Sequence, residues 1–369
     1  MKKLKKIPFI LSLLSLLTFF TPTNADIKVV VSIKPIHSLA SYLMDGVAKP
    51  DLIVDGYASP HGFAMKPSHA KMLQNADLIF WVGEDLENFL EKPLKSIAKK
   101  AEKIELMEIK GLQVLKFRER NIFDDHDDHG HDDHDDHGKK EDDHDDHDHD
   151  DHGKKEDDHD DHDHDDHGKK EDDHDDHGHD DHGKKDGHDD HDDHDGHEGH
   201  HHGEFDPHIW LDPVNAKVIL KEMAEHLIEN DSKNEATYKS NLKKALNDID
   251  KLTADVKAEL NKSVASIVFH DAYQYFEERF NVNILGAFTV NTDVMPGAEQ
   301  LKEIREIIEH DKVACVFSEP QFNPDIIKAV AKDMNIKTGV VDPLGATLDP
   351  GKDLYFNLIR NMSASFKGC

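Results

Sequence analysis

A tract of 80 residues without a single apolar side chain divides this chain into two parts. Every residue of Asp124–Gly203 is Asp, Glu, His, Lys or Gly. The tract repeats itself, because the sequence HGKKEDDHDDHDHDD of His137–Asp151 recurs without change as His152–Asp166. Such a segment cannot bury an apolar core. We therefore predict a disordered insertion at 124–203 and a fold that is built from the sequence on either side of it.

The tract also carries most of the charge and most of the histidine of the chain. It holds 38 acidic residues and 8 lysines, in a chain whose formal net charge is −33. The remaining sequence is therefore close to neutral, and it offers no basic patch that would bind nucleic acid. Since the tract contains 24 of the 31 histidines, seven histidines remain outside it as candidates for a specific site.

The N-terminal 25 residues have the pattern of a secretory signal. Four lysines lie between residues 2 and 6, and the apolar run at 7–20 is too short for a membrane span. The residues Thr23, Asn24 and Ala25 are small, as is typical before a signal cleavage site, so we expect cleavage between Ala25 and Asp26. An uncleaved anchor is the alternative. We predict a mature protein that is soluble and periplasmic.

Two cysteines, Cys315 and Cys369, are present. In an oxidising compartment they can pair, and the chain-entropy model gives such a loop of about 55 residues roughly 4 kcal/mol of stabilisation. Two free thiols are the alternative. A disulfide would leave no thiolate for a metal, so the ligands would have to be histidines and carboxylates.

Strand-like and helix-like segments alternate on both sides of the tract. Before it, the sequence predicts strands at 27–33, 51–54, 78–82 and 103–106. Helices are predicted between them at 36–45, from Pro67 onward and at 86–100. After it, the predicted strands are 266–269, 282–285, 313–317 and 337–341. Further helices are predicted at 215–229, 272–280, 298–309, 324–334 and 354–365. This alternation indicates parallel β-α units.

A longer helix is predicted between the two halves of this pattern. From 234 to 260, apolar residues recur at spacings of three and four and therefore share one helical face. Such a helix extends roughly 40 Å, which is long enough to span two lobes. We predict an α/β fold of two similar lobes, each a parallel sheet flanked by helices. The lobes are placed at 26–233, which includes the insertion, and at 261–369, with the connecting helix at 234–260.

Four candidate ligands lie at the ends of predicted strands or in nearby loops. They are His61, His208, His270 and Asp342. Ligands bind at this edge of open α/β sheets, and the four residues can converge only if the two lobes face each other across a cleft. Imidazoles with one carboxylate suit Zn²⁺, whereas Mn²⁺ would be expected to use more oxygen ligands. From the pattern alone, each histidine could also be an ordinary polar surface residue.

The remaining residues give no sign of catalysis. The sequence lacks the metalloprotease, serine hydrolase, nucleotide-binding and dinucleotide-binding motifs, and we therefore predict that the protein is not an enzyme. Glu319 is the one candidate general base, and a helix cap or an interlobe contact is its alternative role. Of the other histidines, His37 is predicted to be a capping or surface residue, and His69, His226 and His310 are predicted to be surface residues of helices.

Four segments together resemble the periplasmic zinc-binding proteins of ABC importers. They are GYASPHGFAMKPSHAKMLQNADLIFWVGEDLENFL, DPHIWLDP, VFHDAYQYFEERF and the run ACVFSEPQFNP with VVDPLG. The resemblance covers nearly all of the mature chain outside the tract. It implies two lobes joined by a rigid long helix with the metal between them, the ligands His61, His208 and His270, and a disulfide between Cys315 and Cys369.

The sequence departs from that family at two informative positions. Pro60 stands where some members have a glutamate, which excludes a ligand from that position. Asp342 matches the carboxylate of manganese-type relatives, so the fourth ligand is either Asp342 or a water. Manganese-type relatives tend to have a carboxylate at the position of His270, and a histidine there favours zinc.

The function predicted from the sequence is capture of periplasmic Zn²⁺ and its delivery to an inner-membrane ABC permease. We expect a monomer that could also exchange zinc with other periplasmic zinc-binding proteins. A manganese receptor, a zinc hydrolase and a metal-storage or adhesion protein are the alternatives. The tract is predicted to be an accessory zinc-binding element, with a merely solubilising acidic loop as the alternative. Its candidate ligands include His126, His129, His131, His134, His137, His144, His147, His149, His152, His200, His201 and His202.

Overall fold

The computed structural model of this chain describes residues 26–118, 120–122, 203–260, 264–292 and 294–369. The predicted signal at 1–25 and the candidate ligands of the tract, from His126 to His202, lie outside the described residues. Within the described residues, no helix is long and apolar enough to cross a membrane. The predicted lobe boundaries stay a prediction.

The described part before the tract forms a parallel sheet of four strands in the order β2-β1-β3-β4. The strands are β1 (Val29–Ile33), β2 (Asp51–Val54), β3 (Leu78–Trp81) and β4 (Glu102–Glu105). The helices are α1 (Lys34–Leu43), α2 (Pro67–Asn75) and α3 (Glu84–Ser96). The central strand β1 is buried along its whole length, which explains its continuous apolar sequence.

The described part after the tract contains a second parallel sheet with the equivalent order β6-β5-β7-β8. Its strands are β5 (Ser266–His270), β6 (Ile284–Thr289), β7 (Cys315–Ser318) and β8 (Lys337–Val340). The helices of this half are α6 (Gln274–Phe280), α7 (Ala298–His310), α8 (Asp325–Met334) and α9 (Leu354–Gly368). The prediction of two similar α/β lobes with parallel sheets is therefore confirmed.

Helices α4 (Pro213–Asn230) and α5 (Glu235–Glu259) lie between the two sheets in the sequence. Helix α5 is the predicted long helix, and it packs against α1, α4 and α9 through one buried apolar face. Helix α9 returns from the second sheet to contact α1. Helix α9 therefore adds a packing contact between the two halves of the fold.

Buried apolar contacts also join the two sheets. One cluster of buried side chains extends from Val31 in β1 to Phe317 in β7 and Phe366 in α9. Beside it, the buried Lys34 ammonium donates to three backbone carbonyls of the segment 345–348, at 3.0 to 3.4 Å. Because an unpaired buried ammonium would be costly, these bonds fix the end of β1 against that segment.

A disulfide closes the C-terminus. It joins Cys315, the first residue of β7, to Cys369, with a Cα–Cα distance of 5.9 Å. No free cysteine remains, so the alternative of two free thiols is wrong for this structure. The end of α9 is thereby held against the second sheet.

A short antiparallel contact between residues 115–118 and residues 204–206 joins the two sides of the tract; we call it the stem. Phe117 N donates to Glu204 O at 3.1 Å, and a backbone bridge connects the neighbouring residues. The guanidinium of Arg118 lies 3.0 Å from a carboxylate oxygen of helix α6. The stem is therefore attached to the second half of the fold.

Strand β6 continues to Thr289, whereas the sequence predicted its end at residue 285. Its last residues stay paired with β5, where Thr289 lies opposite His270, and a segment far away in the sequence covers the other edge. Ala287 N donates to Asn121 O at 2.8 Å, so the segment 120–122 pairs with the outer edge of β6. A Cβ atom at Gly286 would lie 2.6 Å from Asn121 O, and only glycine allows this close approach.

Candidate metal centre

The structure brings three of the four candidate ligands together. His61 lies in the loop between β2 and α2, His208 precedes a single helical turn before α4, and His270 is the last residue of β5. One ring nitrogen from each histidine lies within 4.8 Å of the others. His208 and His270 are buried, whereas His61 is half-buried.

The distance between two of the imidazoles fits coordination of one ion. Nε2 of His208 and Nε2 of His270 are 3.3 Å apart. Two nitrogens bound to a tetrahedral zinc at about 2.0–2.1 Å would be separated by about 3.3 to 3.4 Å. The two nitrogens could therefore bind the same ion without a large movement of either ring.

Two buried carboxylates orient these rings. Asp206 Oδ1 lies 2.7 Å from His208 Nδ1, and both oxygens of Glu319 lie 3.0 Å from His270 Nδ1. When the carboxylates are ionised and the rings neutral, each Nδ1 carries the proton that is donated to the carboxylate, and each Nε2 keeps its lone pair for a metal. Sequence reasoning missed this role of Asp206, although its place two residues before His208 was a usable signal.

The position of Glu319 corrects one interpretation of the sequence. It follows β7 and contacts His270 at the end of the adjacent strand β5, within the same sheet. Its carboxylate is thus neither a helix cap nor an interlobe contact. Both of its oxygens face an imidazole N–H, which suits a residue that positions a ligand.

The protonation of the two buried histidines differs because their surroundings differ. Burial holds the pKa of His208 well below its ordinary value, and the neighbouring His270 lowers it further. Burial also lowers the pKa of His270, but the charge and hydrogen bonds of Glu319 outweigh it, so the net pKa is raised. The proton that a metal would have to displace is therefore held more weakly by His208 than by His270.

Two cavities meet at the three rings. The first is a cleft of about 260 Å³ that leads to the rings. Glu84, an exposed residue near the first sheet, lines one part of this cleft, and Asn291, which follows β6, lines another. On the other side, the rings border a cavity of about 10 Å³, closed by Trp210 and Phe322. This smaller space is close to the size of one water molecule. An ion could therefore enter from the cleft and would lie beside this small space.

Asp342 is not in the set of ligand atoms that lie within 4.8 Å of one another. Its Oδ1 accepts hydrogen bonds from Gln321 Nε2 at 2.8 Å, from Gly345 N at 3.0 Å and from Leu344 N at 3.1 Å. The other oxygen, Oδ2, is buried and accepts no hydrogen bond from the described residues. In this structure Asp342 organises the loop beside the histidines.

The remaining histidines have varied environments. His37 was predicted to be a capping or surface residue but is buried, with Nε2 3.0 Å from Pro50 O. His69 was predicted to be a surface residue but is buried, and it caps the start of α2, where its Nδ1 accepts from Lys66 N at 3.2 Å. His310 is exposed, as predicted.

The chain is similar to known proteins over almost its whole length. The family described as ZnuA, zinc-uptake complex component A periplasmic, matches residues 29–369. The chain belongs to the ZnuA family. One ZnuA-family relative, from Brucella abortus, is named high-affinity zinc uptake system protein ZnuA. It is 43% identical over 343 residues, which represent 92% of this chain and 91% of the relative.

Solved structures share the ZnuA-family fold. A crystal structure of ZnuA has a TM-score of 0.62 and 18% identity, and the match covers 92% of this chain and 99% of that one. A Mn-bound periplasmic metal binding protein from Candidatus Liberibacter asiaticus has a TM-score of 0.62 and 16% identity, over 92% and 98% of the two chains. At these identities the similarity concerns the fold alone. The predicted resemblance to periplasmic zinc-binding proteins is confirmed by the family match.

Proposed function

We propose that this chain is the periplasmic zinc receptor of an ABC-type uptake system, with His61, His208 and His270 as its metal ligands. The observation that carries the proposal is the pair of Nε2 atoms 3.3 Å apart, each on a ring whose Nδ1 faces a carboxylate. Further support comes from the family and from the relative named as a high-affinity zinc uptake protein.

The donor atoms favour zinc over manganese. The proposed site offers three imidazole nitrogens, a set that suits Zn²⁺, whereas Mn²⁺ is better matched by oxygen ligands. A fold shared with a Mn-bound protein does not decide the metal, because the donor atoms do. A manganese receptor is therefore the second candidate.

The fourth ligand is proposed in two forms. Asp342 could bind through Oδ2, which accepts no hydrogen bond from the described residues, after a small movement of its loop. A water entering from the cleft is the other form. Replacing Asp342 by asparagine separates them, because only the first form makes zinc affinity depend on that carboxylate.

The remaining parts of the chain complete the proposal. Residues 1–25 are proposed to be an export signal cleaved after Ala25, and the histidines of the tract are proposed to bind zinc more weakly than the three clustered rings. The bound ion passes to an inner-membrane permease, and other periplasmic zinc-binding proteins are further candidate partners. The protein is proposed to act as a monomer.

Hydrolysis and storage are less well supported. A zinc hydrolase needs a general base beside the metal-bound water. Asp206 and Glu319, the two carboxylates hydrogen-bonded to the ligand rings, are both engaged at Nδ1. A storage or adhesion role would not need a single oriented site.

A chelator-competition titration of the full chain with zinc tests the proposal. Replacing His208 and His270 together by alanine should abolish the tightest class of sites and leave the weaker ones. The matched control is His310→Ala, because His310 is exposed and distant in sequence from the cluster. If the double variant still bound one zinc as tightly as the wild-type chain, the assignment of the site would be wrong.

A further inference from the structure

A second group of metal-binding side chains lies between β4 and α4. Glu102 is the first residue of β4, and His226 and Glu229 lie on α4. One ligand atom from each lies within 4.8 Å of the others. His226 and Glu229 are three residues apart and therefore share a helical face, which Glu222, four residues before His226, also shares. None of these residues belongs to the proposed zinc centre.

The contact between His226 and Glu102 does not have the geometry of a hydrogen bond. Nδ1 of His226 lies 2.8 Å from Glu102 Oε1. This nitrogen is buried and nevertheless makes no hydrogen bond within the described residues. Since the distance is short enough for a hydrogen bond, the angle between the N–H bond and the carboxylate oxygen must be unsuitable. Two ligand atoms this close, with no hydrogen bond between them, favour a cation that both can bind, and a tetrahedral zinc would require them to move apart to about 3.3 Å.

The carboxylate of Glu102 is held in this position by a neighbour. Asn230 Nδ2 donates to Glu102 Oε2 at 2.7 Å and to His226 O at 2.9 Å. The amide thus occupies one carboxylate oxygen and leaves Oε1 facing the ring. On the other side of the ring, His226 Nε2 lies 3.4 Å from Glu222 Oε1, a contact that fixes the ring further.

We propose that His226 Nδ1 and the carboxylates of Glu102 and Glu229 form a second binding site for a divalent cation of the zinc type. Imidazole nitrogens and carboxylate oxygens are both zinc ligands, and the two carboxylates would neutralise the charge of the ion. The half-buried position of His226 leaves room for water to complete the coordination. Such an ion would join β4 to α4, the elements that flank the tract in the sequence.

Footprinting of the full chain with diethyl pyrocarbonate, read by peptide mass spectrometry with zinc ion as the only added ligand, tests the site. A metal-bound imidazole has no free lone pair, so zinc should protect His226 from modification. With zinc at about ten times the dissociation constant, nine-tenths of the sites are occupied and the modification rate should fall about tenfold. His310, which is exposed and belongs to no cluster of metal-binding side chains among the described residues, is the internal control.

The double variant Glu102→Gln/Glu229→Gln keeps the side-chain shapes and removes both charges. Protection of His226 should be lost in this variant and should persist in His208→Ala, so the result does not depend on the proposed zinc centre. An unchanged rate for His226 with saturating zinc would overturn the second site. Equal protection in the wild-type chain and the double variant would also overturn it, because the zinc would then act from elsewhere.

Discussion

Removing the charge of Glu319 should weaken zinc binding although Glu319 is not a proposed ligand. In Glu319→Gln, the amide oxygen can still accept from His270 Nδ1, but the negative charge 3.0 Å from the ring is lost. The carboxylate makes the imidazole a more basic ligand and fixes its rotation about the Cβ–Cγ bond. Loss of a carboxylate in this role typically lowers metal affinity by about 10 to 100 fold, or about 1.4 to 2.7 kcal/mol.

The structure indicates that the effect lies towards the upper part of this range. Glu319 is 3% exposed, so no water replaces the lost charge, and both of its oxygens face the same nitrogen. Zinc affinity should be measured on the full chain by competition with a chelator strong enough to report the tightest site alone. Glu306→Gln is a matched control, since Glu306 is exposed on α7 and pairs only with Lys302 in the described structure. An affinity of Glu319→Gln equal to that of this control would refute the reasoning.

Three further predictions concern stability in the metal-free protein, measured by urea unfolding. Burial raises the pKa of Glu87 to about 7, so between pH 4.5 and 7 the folded state binds a proton that the unfolded state releases. Glu87 should therefore contribute a fall of roughly 3 kcal/mol in the free energy of unfolding as the pH rises through this window. Burial also raises the pKa of Asp206 and of Asp271 to about 7, so Glu87→Gln should reduce the total fall by the share of Glu87 and not abolish it; an unchanged slope would contradict it. Lys34→Met should lower the free energy of unfolding by about 3 kcal/mol, because three carbonyls lose a buried donor. A decrease below about 1 kcal/mol would show that these hydrogen bonds do not stabilise the fold. Replacing Cys315 and Cys369 by serine should cost about 4 kcal/mol and leave zinc affinity unchanged, so a large change in affinity would contradict a purely structural disulfide.

Much of the fold follows from local patterns. The strands before the tract, the long helix and the helices of the second half all lie within a few residues of their predicted positions. Continuous β-branched runs such as VVVSI in β1 predict fully buried parallel strands, and that burial is observed. Three of the four candidate ligands were also identifiable, because they lie at the ends of strands where parallel sheets present their ligands.

The rest depends on partners that are distant in sequence. Strand β6 extends to Thr289 because it stays paired with β5, where Thr289 lies opposite His270, and its other edge is covered by Asn121, which no local pattern connects with it. The orientation of His270 depends on Glu319, 49 residues later, and the sequence suggested other roles for that glutamate. Asp342 has the residue type of a ligand, but its hydrogen bonds to its own loop become visible only once that loop is folded.

The stem has a consequence for how this protein can change over evolution. Its backbone hydrogen bond between Phe117 and Glu204 closes the two ends of the tract independently of the sequence between them. Doubling the length of a closed loop costs only about 0.6 kcal/mol, so whole 15-residue units could be duplicated or deleted at little cost. Asp206, which orients His208, lies in the stem and therefore outside the tract. Natural selection could therefore adjust the number of histidines in the tract to the supply of metal while the geometry of the clustered rings stays the same.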